Sequence, residues 1–552
     1  GLERAAHQEE VARWIKRLVF TEQHKRAVEF AEAVEAYIDT LPRDSRGTLD
    51  WTLSHTFSKG ERTCWREFAR LTIGQDRPAA LHRLEKAASD LERLLTPEGI
   101  PERQEKSFLD HPGKIHLRRV IGAIYNNLGI GYTGEGQYRK AAEVYAEALH
   151  YFRETGFKGQ RAITLNNLSR VLSELGRRTR ALRICQDGLN IRQDLGYESA
   201  IAYSYNTLAL IYNNNLQPDN AWPEATKAVV YFRRLQNPRG LGLSLLQLGE
   251  ALRRLAFSQH PLVRSPEELL NVAEDATLEA LDIFINTPEV NRQIMRRVEA
   301  EIELGCLYRD YMHYVKTVLS HQSEQEPRWR RFRDRAVQHL DKAVDLAEEY
   351  NYPAHRLDAQ VNLAWTHYYA GDPAQAETIS DAIVEKLADK PFILKRNERP
   401  PLPQEIDETY APLQLGKLWT VKGRIALDRF LDRVQAIQAR HQDRAKARQE
   451  VKTDSEANRN LQSAAEAFVL SLAYALLFSP RSPNIGMAFD HLCNYLKKFN
   501  ADEMELFYKY QHEARQLYRV SEIQPENLAD VEEFLLESFG DYLPPEFKRE
   551  VQ

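Results

Sequence analysis

Large apolar residues recur along this chain at helical spacing, and one stretch repeats itself. Tyr125, Leu128 and Tyr132, then Leu165, Leu168 and Leu172, then Tyr205, Leu208 and Tyr212 follow one another at a period of 40 residues without a gap. Offsets of three and seven put each set on one face of an α-helix. A small residue follows the central leucine each time (Gly129, Ser169, Ala209) and leaves room for a second helix. The second half of the period repeats too, as Ala141, Tyr145 and Ala148, as Ala181, Cys185 and Gly188, and as Ala221, Ala225 and Ala228. Gly136, Gly176 and Leu216 mark the turns between the halves. The pattern predicts antiparallel helix pairs, helix A then helix B. One pair cannot bury its apolar stripe alone, so neighbours must stack. The expected fold is all-α, a right-handed superhelix (α-solenoid) of helix hairpins.

Weaker copies follow. Leu245, Leu248, Gly249 and Leu252 open a fourth repeat, whose partner helix carries Ala273 and Ala280. Leu304, Gly305 and Tyr308 open a fifth, completed by Ala336, Leu340 and Ala343. Leu363, Ala364, Gly371 and Ala376 make a sixth; Trp419, Gly423 and Ala426 open a seventh, completed by Ala464 and Phe468. On this reading residues 1–100 are a helical arm or degenerate repeats, residues 118–480 the array, and residues 484–552 capping helices. Insertions are expected at about 257–267, 311–329 and 429–458. The first two leave the junction of helix A and helix B, either as a lid or contact surface or as plain helix extension. The third is highly charged and reads as extended helix. Proline-bearing connectors are expected at Thr96 to Gly113 and Lys390 to Pro403.

Composition narrows the function. Hydrophobic residues at 43 % and charged residues at 28 % fit a folded chain, and the net charge of −5 argues against a dedicated nucleic-acid binder. The longest apolar run, Ala467 to Phe478, is shorter than the ~20 residues that span a bilayer, so no membrane contact is expected. No charged-then-apolar leader starts at Gly1, and a cytoplasmic protein with reduced thiols is expected. Cys64, Cys185, Cys306 and Cys493 are far apart in sequence and form no metal-binding pattern. Phosphate-loop, HExxH and GxSxG signatures are missing from the sequence, so neither an enzyme nor a cofactor is expected.

The polar pattern is more informative. Asn126-Asn127, Asn166-Asn167 and Asn206-Thr207 occupy the same two places of helix A. Asparagine is a poor helix former, so a ladder of them in helix interiors calls for a reason. Each amide offers donors and an acceptor, which suits an extended peptide backbone. The alternative is that these amides bond to neighbouring helices and only stabilise the stack. One turn further on come Arg170, Asn213, Glu250, Arg253 and Arg254, with Tyr203 and Tyr205 before them. The candidate ligand-binding set is therefore Asn126, Asn127, Asn166, Asn167, Arg170, Tyr203, Asn206, Asn213, Glu250 and Arg253.

These repeats resemble the tetratricopeptide consensus over roughly Ile121 to Tyr474, most strongly to about Gln236. A period near 40 with a doubled asparagine is similar to kinesin-light-chain arrays, where the Asn positions hold cargo peptides. It also resembles the sensor region of the signal-transduction ATPases with numerous domains, which the irregular repeats, the helices before the array and the abrupt helical start favour. That resemblance implies an inducer-sensing, autoinhibitory module. Its partners would be a peptide, protein or small-molecule inducer in the concave groove and a nucleotide-binding domain of the parent protein. A free-standing peptide-binding scaffold and a quorum-peptide receptor are the alternatives.

Overall fold

The computed structural model describes residues 2–478 apart from 21–23, 41–48, 74, 96–110, 176, 216, 259–264, 289–292, 319–324, 389–411 and 442. The described elements are helices, and no strand occurs among the described residues. Of the connector expected at Thr96 to Gly113, residues 96–110 lie outside them and 111–113 instead begin a helix; the connector expected at Lys390 to Pro403, Cys493 and the helices expected in 484–552 also lie outside them. The chain divides into two compact units. The first comprises residues 1–174, 178–252 and 275–297; the second comprises 175–177, 253–274 and 298–552.

In the first unit, α1 (Leu2–Phe20), α2 (His24–Thr40) and α3 (Leu49–Ile73) share a core of Ile15, Val19, Ala27, Val28, Ala31 and Ala69. Helix α4 (Arg77–Glu92) follows. The strong repeats then fold as α5 (His111–Gly134) with α6 (Tyr138–Glu154), α7 (Lys158–Glu174) with α8 (Arg178–Leu195), and α9 (Glu198–Asn214) with α10 (Pro218–Arg234). The fourth repeat is α11 (Pro238–Leu255) with α12 (Pro266–Asn286); residues 238–252 and 275–286 of this pair belong to the first unit, 253–255 and 266–274 to the second. Gly136 turns the chain between α5 and α6 at φ 75°, a conformation that favours glycine.

The small residue after the central leucine does what its size suggests. A Cβ on Gly129 would stand 2.4 Å from Cε1 of Tyr145, the buried aromatic of the partner helix. Gly60 meets Leu91 in the same manner, at 2.7 Å from Cδ1, so α3 and α4 pair as the later hairpins do. Helix α4 also packs on the first repeat: Gly131 lies against Leu81, and the Tyr125 and Tyr151 hydroxyls both donate to Glu92, at 2.7 and 2.9 Å.

The second unit continues with α13 (Ile294–Val318) and α14 (Gln325–Glu349), α15 (Pro353–Ala370) and α16 (Pro373–Leu387), then α17 (Pro412–Arg440), α18 (Arg444–Thr453) and α19 (Ser455–Phe478). Gly305 against Leu340 and Gly423 against Phe468 repeat the close approach. The described residues of the 311–329 insertion are helical: α13 runs on to Val318 and α14 begins at Gln325. Residues 429–440 prolong α17, and α18 follows as a separate short helix. Proline at the first turn of α15 and α16 suits a position whose N–H has no intrahelical partner. Asp372 caps α16 by accepting from the Gln375 amide at 3.1 Å.

Candidate functional site

The asparagine ladder exists, and its rungs join one repeat to the next. Asn167 Nδ2 donates to Asn126 Oδ1 at 3.2 Å, and Asn166 Nδ2 donates to Thr207 Oγ1 at 2.9 Å. Both bonds run from the residue three before one small residue to the residue two before the next. Thr164 adds a donor to Asn126 Oδ1, and Arg192 Nη1 one to Asn166 Oδ1.

A second rung has its own register: the residue four after one small residue meets the residue two before the next. Cys64 O and Sγ accept from Asn127, at 3.2 and 3.3 Å. Asn213 Nδ2 donates to Gln247 O and Oε1, at 3.0 and 3.2 Å. Arg253 Nε and Nη2 grip both oxygens of Glu303, at 2.5 and 3.0 Å, and Arg309 Nη1 donates to Asn362 Oδ1 at 2.7 Å. Buried amides and guanidinium groups need such partners, which explains poor helix formers recurring in helix A.

The sequence-derived candidates therefore separate by exposure. Asn127, Asn206, Asn213 and Arg253 are buried. Asn206 Oδ1 has no hydrogen-bond partner among the described residues. Asn126, Asn166, Asn167, Arg170, Tyr203 and Glu250 are half-buried and keep an accessible edge. Tyr203 rests edge-on against Phe232, ring centroids 4.7 Å apart.

In the second unit the same register assembles a denser surface that the sequence reading missed apart from Arg253. Arg253 Nη1 reaches Asp310 Oδ2 at 2.7 Å, and Arg309 Nε and Nη2 hold Asp310 Oδ1 at 3.1 and 3.0 Å. Asn362 Nδ2 donates onward to the carbonyl and Oδ1 of Asp358, both at 2.9 Å. Glu303, Arg253, Asp310, Arg309, Asn362 and Asp358 thus form one unbroken polar chain on α11, α13 and α15. Burial raises the Asp310 carboxyl, but Arg309 and Arg253 outweigh it and hold the group below the usual carboxylate range.

Aromatic residues border this chain. Trp365 carries Arg424 over its ring at 5.4 Å and touches Tyr368 and Tyr369, at 5.9 and 5.4 Å between centroids. His313 leans on Tyr369 at 4.7 Å, and Tyr368 donates to Asp428 Oδ2 at 2.7 Å. Trp365 is buried, whereas Tyr368, Tyr369, His313, Arg309 and Arg424 are half-buried. Burial pulls Lys417 on α17 below the ordinary lysine value; Asp358 opposes the shift, and Arg254 and Arg309 add to it. Counting from Gly249, Gly305 and Ala364 finds three pairs of these positions: Arg253-Arg254, Arg309-Asp310 and Tyr368-Tyr369 stand four and five residues after the small residue, and Asp428 stands five after Gly423. That offset was the available signal.

Among the described residues no group of three or more His, Cys, Asp or Glu could hold a metal ion, and no helix is long and apolar enough to cross a membrane. Cys64, Cys185 and Cys306 are free and buried; burial pushes the Cys185 thiol up to about 12.

No curated protein matches the sequence. Among solved structures the chain is similar to a Rap protein complexed with competence and sporulation factor, at 12 % identity, TM-score 0.44, and 90 % and 98 % of the two chains covered. It is also similar to the human IFIT1 dimer with m7Gppp-AAAA, at 13 % identity, TM-score 0.41 and 88 % of each chain. A third is BtubC (BKLC) from P. vanneervenii, at 17 % identity, TM-score 0.31, and 48 % and 94 % of the two chains. In sequence, residues 120–194 match the tetratricopeptide repeat family model, which spans most of the first two hairpins. The fold is an all-α array of tetratricopeptide-like hairpins, and the family its sequence matches is a repeat family rather than an enzyme family.

Proposed function

We propose that this chain is a binding scaffold that takes a peptide or protein segment on the helix A surface of its second unit. The observation that supports this most is the meeting of half-buried cations, carboxylates and a paired tyrosine edge at one register of successive A helices. The polar chain beneath fixes their positions through bonds between repeats, so little side-chain entropy is lost on binding. Aromatic and arginine side chains dominate the energetics of such surfaces. The asparagine ladder of the first unit serves mainly to lock the stack, and its half-buried edges (Asn126, Asn166, Asn167) are a secondary contact.

The test is a peptide-array selection against the full chain and against a Tyr369→Ala/Arg424→Ala variant whose helix content matches. Binders should lose about tenfold or more in affinity in the variant. Equal affinity for both proteins refutes the site.

Inducer sensing for a nucleotide-binding domain is the finer form of this reading. It requires a phosphate-loop domain in the same gene, and ligand must change that domain's self-association. A gene without such a domain leaves the free-standing scaffold or peptide receptor.

A further inference from the structure

We infer that the first unit holds a carboxylate-binding point at Arg192, between α7 and α9, which takes an Asp or Glu side chain or the C-terminus of an extended peptide. The inference rests on the scaffold reading above, extends it to the first unit and names the chemistry of the ligand.

Arg192 stands near the end of α8 and is 5 % exposed. Its Nη1 donates to Ser204 Oγ at 2.7 Å, to the Ala200 carbonyl at 2.8 Å and to Asn166 Oδ1 at 3.3 Å. The guanidinium thus reaches from helix B of one hairpin to helix A of the same hairpin and helix A of the next. All three acceptors are neutral. Other buried arginines meet an acid: Arg66 meets Glu35 and Glu67, Arg77 stands 3.9 Å from Glu135, and Arg253 grips Glu303. No carboxylate oxygen of the described residues lies within 4.0 Å of the Arg192 guanidinium. The acids of α5 to α11 are all described; of those nearest in sequence, Asp194 is exposed and Glu198 accepts from Arg234. Burial pulls the group down to about 10, and the Cys185 thiol and Tyr203 phenol, rather than an acid, oppose the shift. A cation held away from water without a counterion is unfavourable, and an anion that reaches it relieves that cost.

The side chain leaves one edge for such an anion. Nε is sealed from solvent and has no partner, whereas Nη2 has no partner and is not sealed. Asn166, bonded to the same guanidinium, is half-buried, so the tip of the arginine ends beside an accessible stretch of helix A. Asn166 is fixed in turn by its bond to Thr207, so the edge is positioned before a ligand arrives. One free nitrogen suits the single charge of a carboxylate. A phosphoryl group, with more charge and three oxygens, needs several donors.

The experiment uses the full chain and an array of N-acetylated dodecapeptides in three matched forms. One is acidic with an amidated C-terminus, one is its amidated twin with Asn and Gln for Asp and Glu, and one is that neutral twin with a free C-terminus. Hits are titrated by fluorescence anisotropy against wild type, Arg192→Met, Asn166→Asp and the Tyr369→Ala/Arg424→Ala variant. Wild type should bind a carboxylate-bearing form about tenfold more tightly than the neutral amidated twin, roughly one charge-assisted bond. Which form gains tells side chain from terminus. Arg192→Met should erase the gain. Asn166→Asp sets a carboxylate against the guanidinium from within the chain, so it should erase the gain too, and it decides alone should Arg192→Met unfold. The ratio should survive in Tyr369→Ala/Arg424→Ala, even where overall affinity falls. Wild type binding all three forms equally overturns the inference and leaves the scaffold reading intact. So does a ratio that persists in Asn166→Asp or is lost with Tyr369 and Arg424. An array with no binders of any form overturns the scaffold reading and the inference with it.

Discussion

The rung at Arg253 offers a sharp test of whether these polar residues hold the stack or hold a ligand. Arg253 and Glu303 are 7 % and 8 % exposed, and three guanidinium nitrogens are engaged by carboxylates. Arg253→Met keeps the apolar stem but strips both donors from Glu303. Leaving a buried carboxylate without its cation costs about 3–5 kcal/mol. Asp310 suffers less, because Arg309 still holds its other oxygen at 3.0 Å. Replacing both partners removes the stranded charge, so Arg253→Met/Glu303→Met should recover most of the loss, with a coupling of about 1–3 kcal/mol. Repeat arrays do not melt as one two-state unit, so the assay is amide hydrogen exchange resolved along the chain, backed by thermal melts. The single variant should open α13 at lower free energy than wild type while the double variant closes it again. A single variant as protected as wild type, or a double variant as exposed as the sum of both singles, refutes the rung. Lost ligand affinity with unchanged exchange would instead return Arg253 to the ligand.

Other positions carry equally definite expectations. Gly129→Ala drives a Cβ to 2.4 Å from the ring of buried Tyr145, an overpacking cost of about 1–3 kcal/mol that exceeds the roughly 1 kcal/mol of helix propensity gained. Gly188→Ala meets nothing nearer than 3.4 Å and should raise the urea midpoint slightly, so the two substitutions should shift it in opposite directions. Glu301 is buried, and although burial raises its carboxyl, the hydrogen bond with His339 at 2.6 Å and the Lys342 ammonium 2.5 Å away win and hold it below the ordinary value. Its stabilising share is therefore present above the unfolded pKa of about 4.3 and lost as pH falls through the lower folded value. Glu301→Gln should flatten that acid-side slope in pH-dependent melts; an unchanged slope refutes the pairing. The Cys64, Cys185 and Cys306 thiols, buried and with thiolate formation opposed by burial, should resist a thiol-directed reagent until the chain unfolds. Fast native-state labelling of any one would show that its surroundings open.

The apolar stripe at three- and seven-residue offsets and the small residue beside it were enough to locate the hairpins. Those contacts are local in register: Gly129 on Tyr145, Gly305 on Leu340 and Gly423 on Phe468 each need only two helices of one hairpin. The degenerate first pair hid because Gly60 and Leu91 carry the contact without the flanking consensus. The amide ladder was legible as a periodic choice of residue, since its cause, an unsatisfied polar group in a helix interior, is periodic too.

The direction of those amides was decided only by tertiary structure. Sequence fixes which face of helix A carries Asn126 or Arg309, but the partner that satisfies it belongs to the next hairpin, placed by the packing of every residue between. Asn213 on Gln247 and Arg309 on Asn362 depend on that placement to within the reach of one side chain. The same holds for Asp310, whose carboxylate is held by Arg253 from another helix as well as by Arg309 beside it. Helix periodicity is a property of the chain. Desolvation and charge pairing arise from the assembled neighbours, and they decided which polar residues are sealed into the stack and which keep an accessible edge.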